Sequence, residues 1–352
     1  LSTALWIGSR GAPPTGSALG SRDPDTPRAP AVGQVEDPAP DLGPAVDLVP
    51  RSTVARAPAH HEFWDAVLDD ERVHVYALDS LKRGQLATFP PAALEDTLPA
   101  ERVEPTATVG PLGGLAWGAA EFAFGAGPKL VVQGYGAGRL TLELPPASGR
   151  LSALSWGADG ALWVGTDAGQ LWRLPADRER LTQVGAVDGV VEQVVASDPE
   201  RRVVRIVQST PRGPRSAWLA LEGGSARPLW EADDDRATSG AADVDGVLVW
   251  GTAEGHVYLR RAGTTALCEE VSPHGRVVDV ALAGPWVVGV LRQDEGLGEL
   301  RVWDARSLAL RARAPISGTP RAVDVQVRGE RVRLLVTCFE TLTEWDLGVG
   351  VR

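Results

Sequence analysis

Two short stretches carry the residues best suited to chemistry. Arg276-Val277-Val278-Asp279-Val280 and Arg321-Ala322-Val323-Asp324-Val325 both read Arg-x-Val-Asp-Val and start about 45 residues apart. A carboxylate held at a fixed place in an apolar strand can work as a general acid or base if it lines a channel, which would make Asp279 and Asp324 the working groups of a hydrolase or lyase. The competing account is structural: an Asp beside a turn accepts backbone N–H bonds and fixes local geometry. His60-His61-Glu62 has ligand types that suit zinc, but adjacent strand residues point to opposite faces and nothing completes the shell. His74, His256 and His274 lie in different segments and would meet only around a shared channel. Asp69-Asp70-Glu71 and Asp233-Asp234-Asp235 lack the spacing of a calcium loop and read as solvated acidic turns. No Gly-x-Ser-x-Gly elbow or Gly-Lys phosphate loop is present, and Gly134-Tyr135-Gly136-Ala137-Gly138 reads as a hairpin turn. The expectation is a non-catalytic protein with no metal and no other cofactor.

The Trp residues offer stacking or cation-caging surfaces. Trp156, Trp163, Trp172, Trp250, Trp303 and Trp345 fall inside alternating strands and are expected to pack between neighbouring sheets. Trp117, Trp218, Trp230 and Trp286 are flanked by turn residues and are expected to be partly exposed. Trp117 and Trp286 would line the cavity of a small-ligand sensor.

The elements that position these residues are strands. From about His61 onward, short apolar alternations are separated by Gly, Asp, Pro and Arg-rich turns, with no sustained helical period. The clearest unit runs from Arg150 to Pro175: a strand ending at Trp156, a Gly-Ala-Asp-Gly turn, a second strand to Gly165, a Thr-Asp-Ala-Gly turn and a third strand to Leu174. Gly246 to Leu259 repeats the apolar strand, the Gly-Thr-x-x-Gly turn and the returning strand. First strands are expected near 112, 150, 190, 240, 276 and 321, a period of about 40 to 50 residues that marks propeller blades. A seventh unit fits between Phe63 and Phe89. The last unit stops after Trp345-Asp346-Leu347, before a fourth strand, so a closed ring would borrow its missing outer strand from the N-terminal side, either Ala45 to Val49 or Leu86 to Phe89. The expected fold is all-β, a propeller of six to seven four-stranded blades over 59–352. It follows an arm over 1–58, rich in Pro and Gly, that cannot bury enough surface to offset its ordering entropy. Ala4-Leu5-Trp6-Ile7 is a further short apolar piece able to join a sheet edge.

With 46 acidic against 35 basic residues, the formal charge of -11 repels a phosphate backbone, so no nucleic-acid partner is expected. Arg201-Arg202 and Arg311-Ala312-Arg313 read as solvated faces. Cys268 and Cys338 are too few and too distant for a disulfide framework. No apolar run reaches the ~20 residues of a membrane span. On that ground no membrane partner is expected; Leu1 to Gly20 lacks the pattern of a secretory signal, which makes the cytoplasm the expected compartment. The chain contains no Met, position 1 included, which is the pattern of a non-standard start codon or of missing upstream residues.

On Val302-Trp303-Asp304 and Glu344-Trp345-Asp346, the chain resembles bacterial WD-repeat-like β-propellers from Phe63 to Leu347. Leu78-Asp79 and Trp172-Arg173 replace the Trp-Asp ending in other units, and the family's Gly-His pair survives only as the inverted His274-Gly275. Ala161-Leu162-Trp163-Val164-Gly165-Thr166 also looks like the repeat of regulator propellers in sensor proteins. An acidic arm ahead of a propeller is similar to the propeller components of bacterial systems built on a MoxR-type AAA+ ATPase and a von Willebrand A protein. That resemblance implies one of those two as partner. The loop face of such a propeller would present Arg150, Asp167, Glu254, Arg276, Asp294, Glu295 and Arg321, a mixed-charge ring suited to binding another protein. The leading expectation is therefore an interaction scaffold, with a small-ligand sensor and a carboxylate-dependent hydrolase or lyase as the alternatives.

Overall fold

A computed structural model describes residues 46–57, 62–68, 72–78, 83–89, 103–109, 114–118, 120–134, 138–195, 202–210, 213–222, 225–232, 235–243, 246–261, 266–270, 275–293, 297–328 and 331–349. The chain divides into two units, Leu1–Val35 and Glu36–Arg352, and the described residues all belong to the second. This division falls ahead of the expected arm boundary at 58, because the strand Val46–Arg56 is part of the second unit.

Strand β1 (Val46–Arg56) comes first. The first sheet contains β2 (Glu62–Leu68), β3 (Val73–Leu78), β4 (Arg83–Phe89) and β5 (Val103–Val109). The second contains β6 (Leu115–Trp117), β7 (Glu121–Ala126), β8 (Lys129–Gly134) and β9 (Arg139–Glu143). The third contains β10 (Leu151–Trp156), β11 (Leu162–Thr166), β12 (Gln170–Leu174) and β13 (Thr182–Ala186), and the fourth β14 (Val190–Val195), β15 (Arg202–Thr210), β16 (Gly213–Glu222) and β17 (Ser225–Ala232). The fifth contains β18 (Ala237–Ala242), β19 (Leu248–Thr252), β20 (His256–Arg260) and β21 (Leu267–Glu270). The sixth contains β22 (Gly275–Ala283), β23 (Trp286–Gln293), β24 (Gly298–Asp304) and β25 (Leu310–Ile316). The seventh combines β26 (Pro320–Arg328), β27 (Arg331–Cys338) and β28 (Thr341–Val349) with β1 as its outer strand. The architecture is thus all-β, with seven four-stranded antiparallel sheets. Among the described residues the single helical turn is a 3-10 turn at Pro146–Ser148.

Burial explains why these segments are strands. β3, β11 and β19 are buried at every position and read as continuous apolar runs, whereas the outer β9 and β13 are largely solvent-facing. A strand covered on both faces needs apolar side chains throughout, and an edge strand needs them on one face at most.

The repeated Leu-x-x-Gly-Thr has a packing cause. At Gly165 and Gly251 a Cβ would overlap Cγ1 of Val191 and of Val277, so the first strand of the following sheet rests directly on the glycine backbone. The next residue, Thr166 or Thr252, is fully buried, and its Oγ1 accepts the amide of Gln170 or His256 at 3.0 Å, closing the turn. Gly251→Ala is therefore expected to lower stability by about 1–3 kcal/mol in thermal or urea unfolding. Val277→Ala, which removes the overlapped methyls, should recover part of that loss in the double variant.

β1 pairs antiparallel with β28 from Val46↔Val349 to Arg56↔Thr341. This is the strand exchange expected of Ala45 to Val49, extended over a longer segment. The other expected donor, Leu86 to Phe89, lies in β4 and pairs with β3 through Leu86↔Tyr76, where Gly84 leaves room for the Tyr76 ring. That contact commits it to the first sheet. Leu48 of β1 packs on the cluster that holds Val332, Trp345 and Leu347.

The first strands of successive sheets pack against one another: β6 on β10, β10 on β14, β14 on β18, β18 on β22, β22 on β26 and β26 on β2. The first and second sheets meet where Trp117 Nε1 donates to Asp65 Oδ2 at 3.0 Å and the Trp117 ring stacks on His74. Trp218 and Trp286 are buried rather than partly exposed: Gly213 and Pro214 lie inside β16, and Trp286, although it directly follows a turn, opens β23 with its ring packed in the cluster that holds Val288 and Val302. Trp117 and Trp230 are half-buried.

Candidate functional site at the cavity and the loop face

Six first strands carry the same irregularity. Their register steps over Trp64, Ser152, Glu192, Thr238, Val278 and Arg321, a β-bulge that leaves one residue unopposed. The bulge re-aims the following side chain towards the next sheet. Gln193 Oε1 accepts the Gly240 amide at 3.0 Å while its Nε2 donates to the Gly240 carbonyl at 2.8 Å. Ser239 Oγ accepts the Val280 amide, and Asp279 Oδ2 accepts the Val323 amide, each at 2.9 Å. Asp65 occupies the same place and receives the Trp117 indole. Two bulged residues add a second set of ties: Ser152 and Thr238 donate to the carbonyls of Val191 and Val277. The bulge thus sets the line along which sheet is tied to sheet.

This register corrects the equivalence suggested by Arg-x-Val-Asp-Val. Asp279 directly follows its bulge, whereas Arg321 is itself the bulged residue and Asp324 sits further along its strand. Asp279 ties β22 to β26, with Oδ1 accepting its neighbour's amide at 2.9 Å. Asp324 lines the cavity instead.

That cavity, about 560 Å³, is walled by residues of β6, β10, β14, β18 and β26. Trp117 and Trp156 form its aromatic part, and Glu192 and Asp324 its charged part. Trp156, the last residue of β10, packs against the second sheet as expected, its Nε1 donating to the Ala116 carbonyl at 3.2 Å; it also lines the cavity, and the Arg178 guanidinium stands 4.6 Å from its ring centroid. Asp65 and Asp279 flank the same region. Burial pushes the Asp65 carboxyl up to about 7; Asp279 and Asp324 add to the rise, while the Trp117 indole and the Ala66 amide act against it. Burial likewise pushes Asp279 up to about 6, against the lowering effect of its bonds to Val323, Ser239 and Val280 and of the Arg205 guanidinium. Arg205, buried on β15, has its own pKa drawn down to about 10 by burial, and it holds Glu192 at 3.1 Å and the Ala237 carbonyl. The acids therefore gather with one buried cation beside them. Asp65 and Asp279 therefore titrate close to neutral pH.

Of the expected loop-face residues, the described ones are exposed or half-buried. The Arg150 amide donates to Asp167 Oδ1 at 2.7 Å, which ties the entry to β10 to the β11–β12 turn. Glu254 and Arg276 are exposed. Asp294 and Glu295 lie outside the described residues, as do His60, His61, His274, the Asp69-Asp70-Glu71 turn, Asp233, Asp234, Tyr135 to Ala137 and Ala4 to Ile7. Arg321 does more than the sequence suggested: its guanidinium lies 4.5 Å from the Trp64 ring centroid and 3.7 Å from that of Phe339. Trp64 is 41% exposed.

The Asp235–His256 pair, at 2.9 Å, has the form of a catalytic dyad. Of the described residues near it, Tyr258 and Cys268 have their phenol and thiol pushed up by burial, which disfavours the ionised, nucleophilic form of each. Among the described residues no group of three or more His, Cys, Asp or Glu is arranged to hold a metal ion, and no helix is long and apolar enough to cross a membrane.

No family model and no curated protein matches the sequence. Among solved structures, the crystal structure of the computationally designed Ika8 protein is similar at 12% identity and a TM-score of 0.53, covering 84% of this chain and 99% of that one. At that identity the likeness bears on the fold alone.

Proposed function

We propose that the seven sheets are the blades of a closed, WD-repeat-like β-propeller, and that its loop face binds a partner protein without catalysing a reaction. The successive packing of the seven first strands and the pairing of β1 with β28 support the ring. The Trp64–Arg321–Phe339 cluster carries the binding reading. A large aromatic ring held open to solvent by a stacked arginine has the composition of an interface anchor, since Trp and Arg dominate the residues on which binding energy concentrates. Arg150, Asp167, Glu254 and Arg276, all exposed, would supply the mixed-charge polar part of that face. The two unpaired cysteines suit a reducing cytoplasm.

The test is affinity capture from the source cell with the wild-type chain and with Trp64→Ala and Arg321→Ala. A partner retained in stoichiometric amount by the wild type should be lost, or weakened by about 10-fold or more, in both variants at unchanged melting temperature. A MoxR-type AAA+ ATPase and a von Willebrand A protein are the partners to assay directly. Absence of any stoichiometric partner, or equal capture by both variants, would overturn the reading.

A further inference from the structure

We propose that the partner bound by the loop face presents a short acidic segment, whose Asp or Glu side chains pair with Arg276, Arg292 and Arg321. The inference rests on the loop-face reading above and names the chemistry of what that face receives. Its starting point is a register. Arg276, near the start of β22, is directly opposite Arg292, near the end of β23, and both are exposed. Residues opposite each other in an antiparallel pair project from one face of the sheet about 5 Å apart, so two like charges there cost stability. A bound anion turns that cost into attraction.

Arg321, on the neighbouring β26, extends the pair into an arc. Burial draws its pKa down, Glu62 opposes the fall, and the nearby charge of Arg292 adds to it. The Arg321 Nε is buried with no hydrogen-bond partner, and the rings of Trp64 and Phe339 lie against the guanidinium, so this cation has already lost much of its water. A cation held in that way pairs more strongly with a carboxylate than one in bulk solvent. Other acids of these sheets are committed elsewhere: Glu299 on β24 to Arg301 at 2.9 Å, and Glu192 on β14 to Arg205 at 3.1 Å and Arg236 at 2.5 Å. Trp64, and Leu297 at the β23–β24 turn, are exposed and give apolar cover to residues flanking the partner's acids. The formal charge of -11 over the whole chain repels a long polyphosphate, whereas a few carboxylates fit a local arc of guanidiniums.

Fluorescence anisotropy of the full chain with the labelled peptide Glu-Glu-Leu-Glu-Glu-Leu, against the same peptide with Gln in place of Glu, tests this. The acidic peptide is expected to bind at least about 10-fold more tightly, and to weaken as added salt rises from about 50 to about 200 mM. Combining Arg276→Gln with Arg292→Gln should weaken it by about 10-fold. Arg292→Gln alone should raise the melting temperature by about 1–3 °C, since it removes one of two opposed charges; a clear fall would show the pair to be matched within the chain and would overturn the proposal. Equal binding of the two peptides, no binding of the acidic one up to about 1 mM, undiminished binding by the double variant, or a short oligothymidylate binding as tightly would each do the same. In affinity capture, a partner lost by Trp64→Ala but kept in full by the double variant overturns this proposal and leaves the loop-face reading standing. Capture of no stoichiometric partner by the wild type overturns that reading, and the proposal with it.

Discussion

Asp65→Asn is expected to make the protein more stable above neutral pH and to leave it nearly unchanged at pH 4. The carboxyl has a folded pKa of about 7 against 3.8 unfolded, so the folded state holds a proton that the unfolded chain releases between those values. For a raised acid the contribution to stability is fully present below pH 3.8, declines as pH rises, and is lost once pH passes 7. A shift of this size corresponds to about 2–4 kcal/mol at pH 8. Asparagine cannot ionise, yet its amide oxygen still accepts the Trp117 indole. Urea unfolding of wild type and variant from pH 4 to 8.5 should give curves that coincide at the acid end and separate by that amount at the alkaline end, a melting-temperature gain of roughly 5–10 °C. Parallel curves would mean that Asp65 is ionised at its bonded position and that the environment described here is wrong.

The second large effect concerns β1. A chain beginning at Pro58 lacks the outer strand of the seventh sheet, leaving the β28 backbone an open edge and removing Leu48 from its cluster. The expected result is a fall in melting temperature of about 10 °C or more and a tendency to associate through the exposed edge. Adding a peptide spanning 46–57 should restore both properties, because the strand can pair from outside as it does from within. A scrambled peptide should not. If the shortened chain melts as the full one does, the pairing contributes nothing to stability.

Most of the fold was legible because period-2 apolar patterns, separated by Gly-centred turns, recur at a nearly constant spacing. The expected first-strand starts fall within a few residues of β6, β10, β14, β18, β22 and β26. Trp303-Asp304 is legible for a local reason. Burial alone would raise the Asp304 carboxyl, but Oδ1 accepts the amides of Arg306 and Ser307 and the Ser307 hydroxyl, which hold it below the ordinary range and shape the turn after β24. What the sequence concealed was register. A bulge moves by residues without changing the look of a motif, so Asp279 and Asp324 share a pattern but not a place. Asp65, which does share Asp279's place, sits in Trp64-Asp65-Ala66, where the preceding residue is aromatic and the pattern is broken. Its one sequence signal was an acid followed by small apolar residues, as in Asp279-Val280-Ala281. Trp218 and Trp286 were misjudged because nearby turn residues say little about a ring that the neighbouring sheet covers. The Trp64–Arg321–Phe339 cluster joins residues far apart in sequence, and only the meeting of the first and seventh sheets brings them together.

The union of β1 with β28 has a temporal side. Strands joined by Val46↔Val349 stand roughly 300 residues apart, so at about 5–20 residues per second a ribosome delivers the second roughly 15–60 s after the first. Throughout that interval the earlier segment must wait without its mate, while the intervening sheets form in order behind it. The seventh sheet is therefore completed only once β28 has been made, and a ribosome stalled before that point would leave β1 without its partner strand.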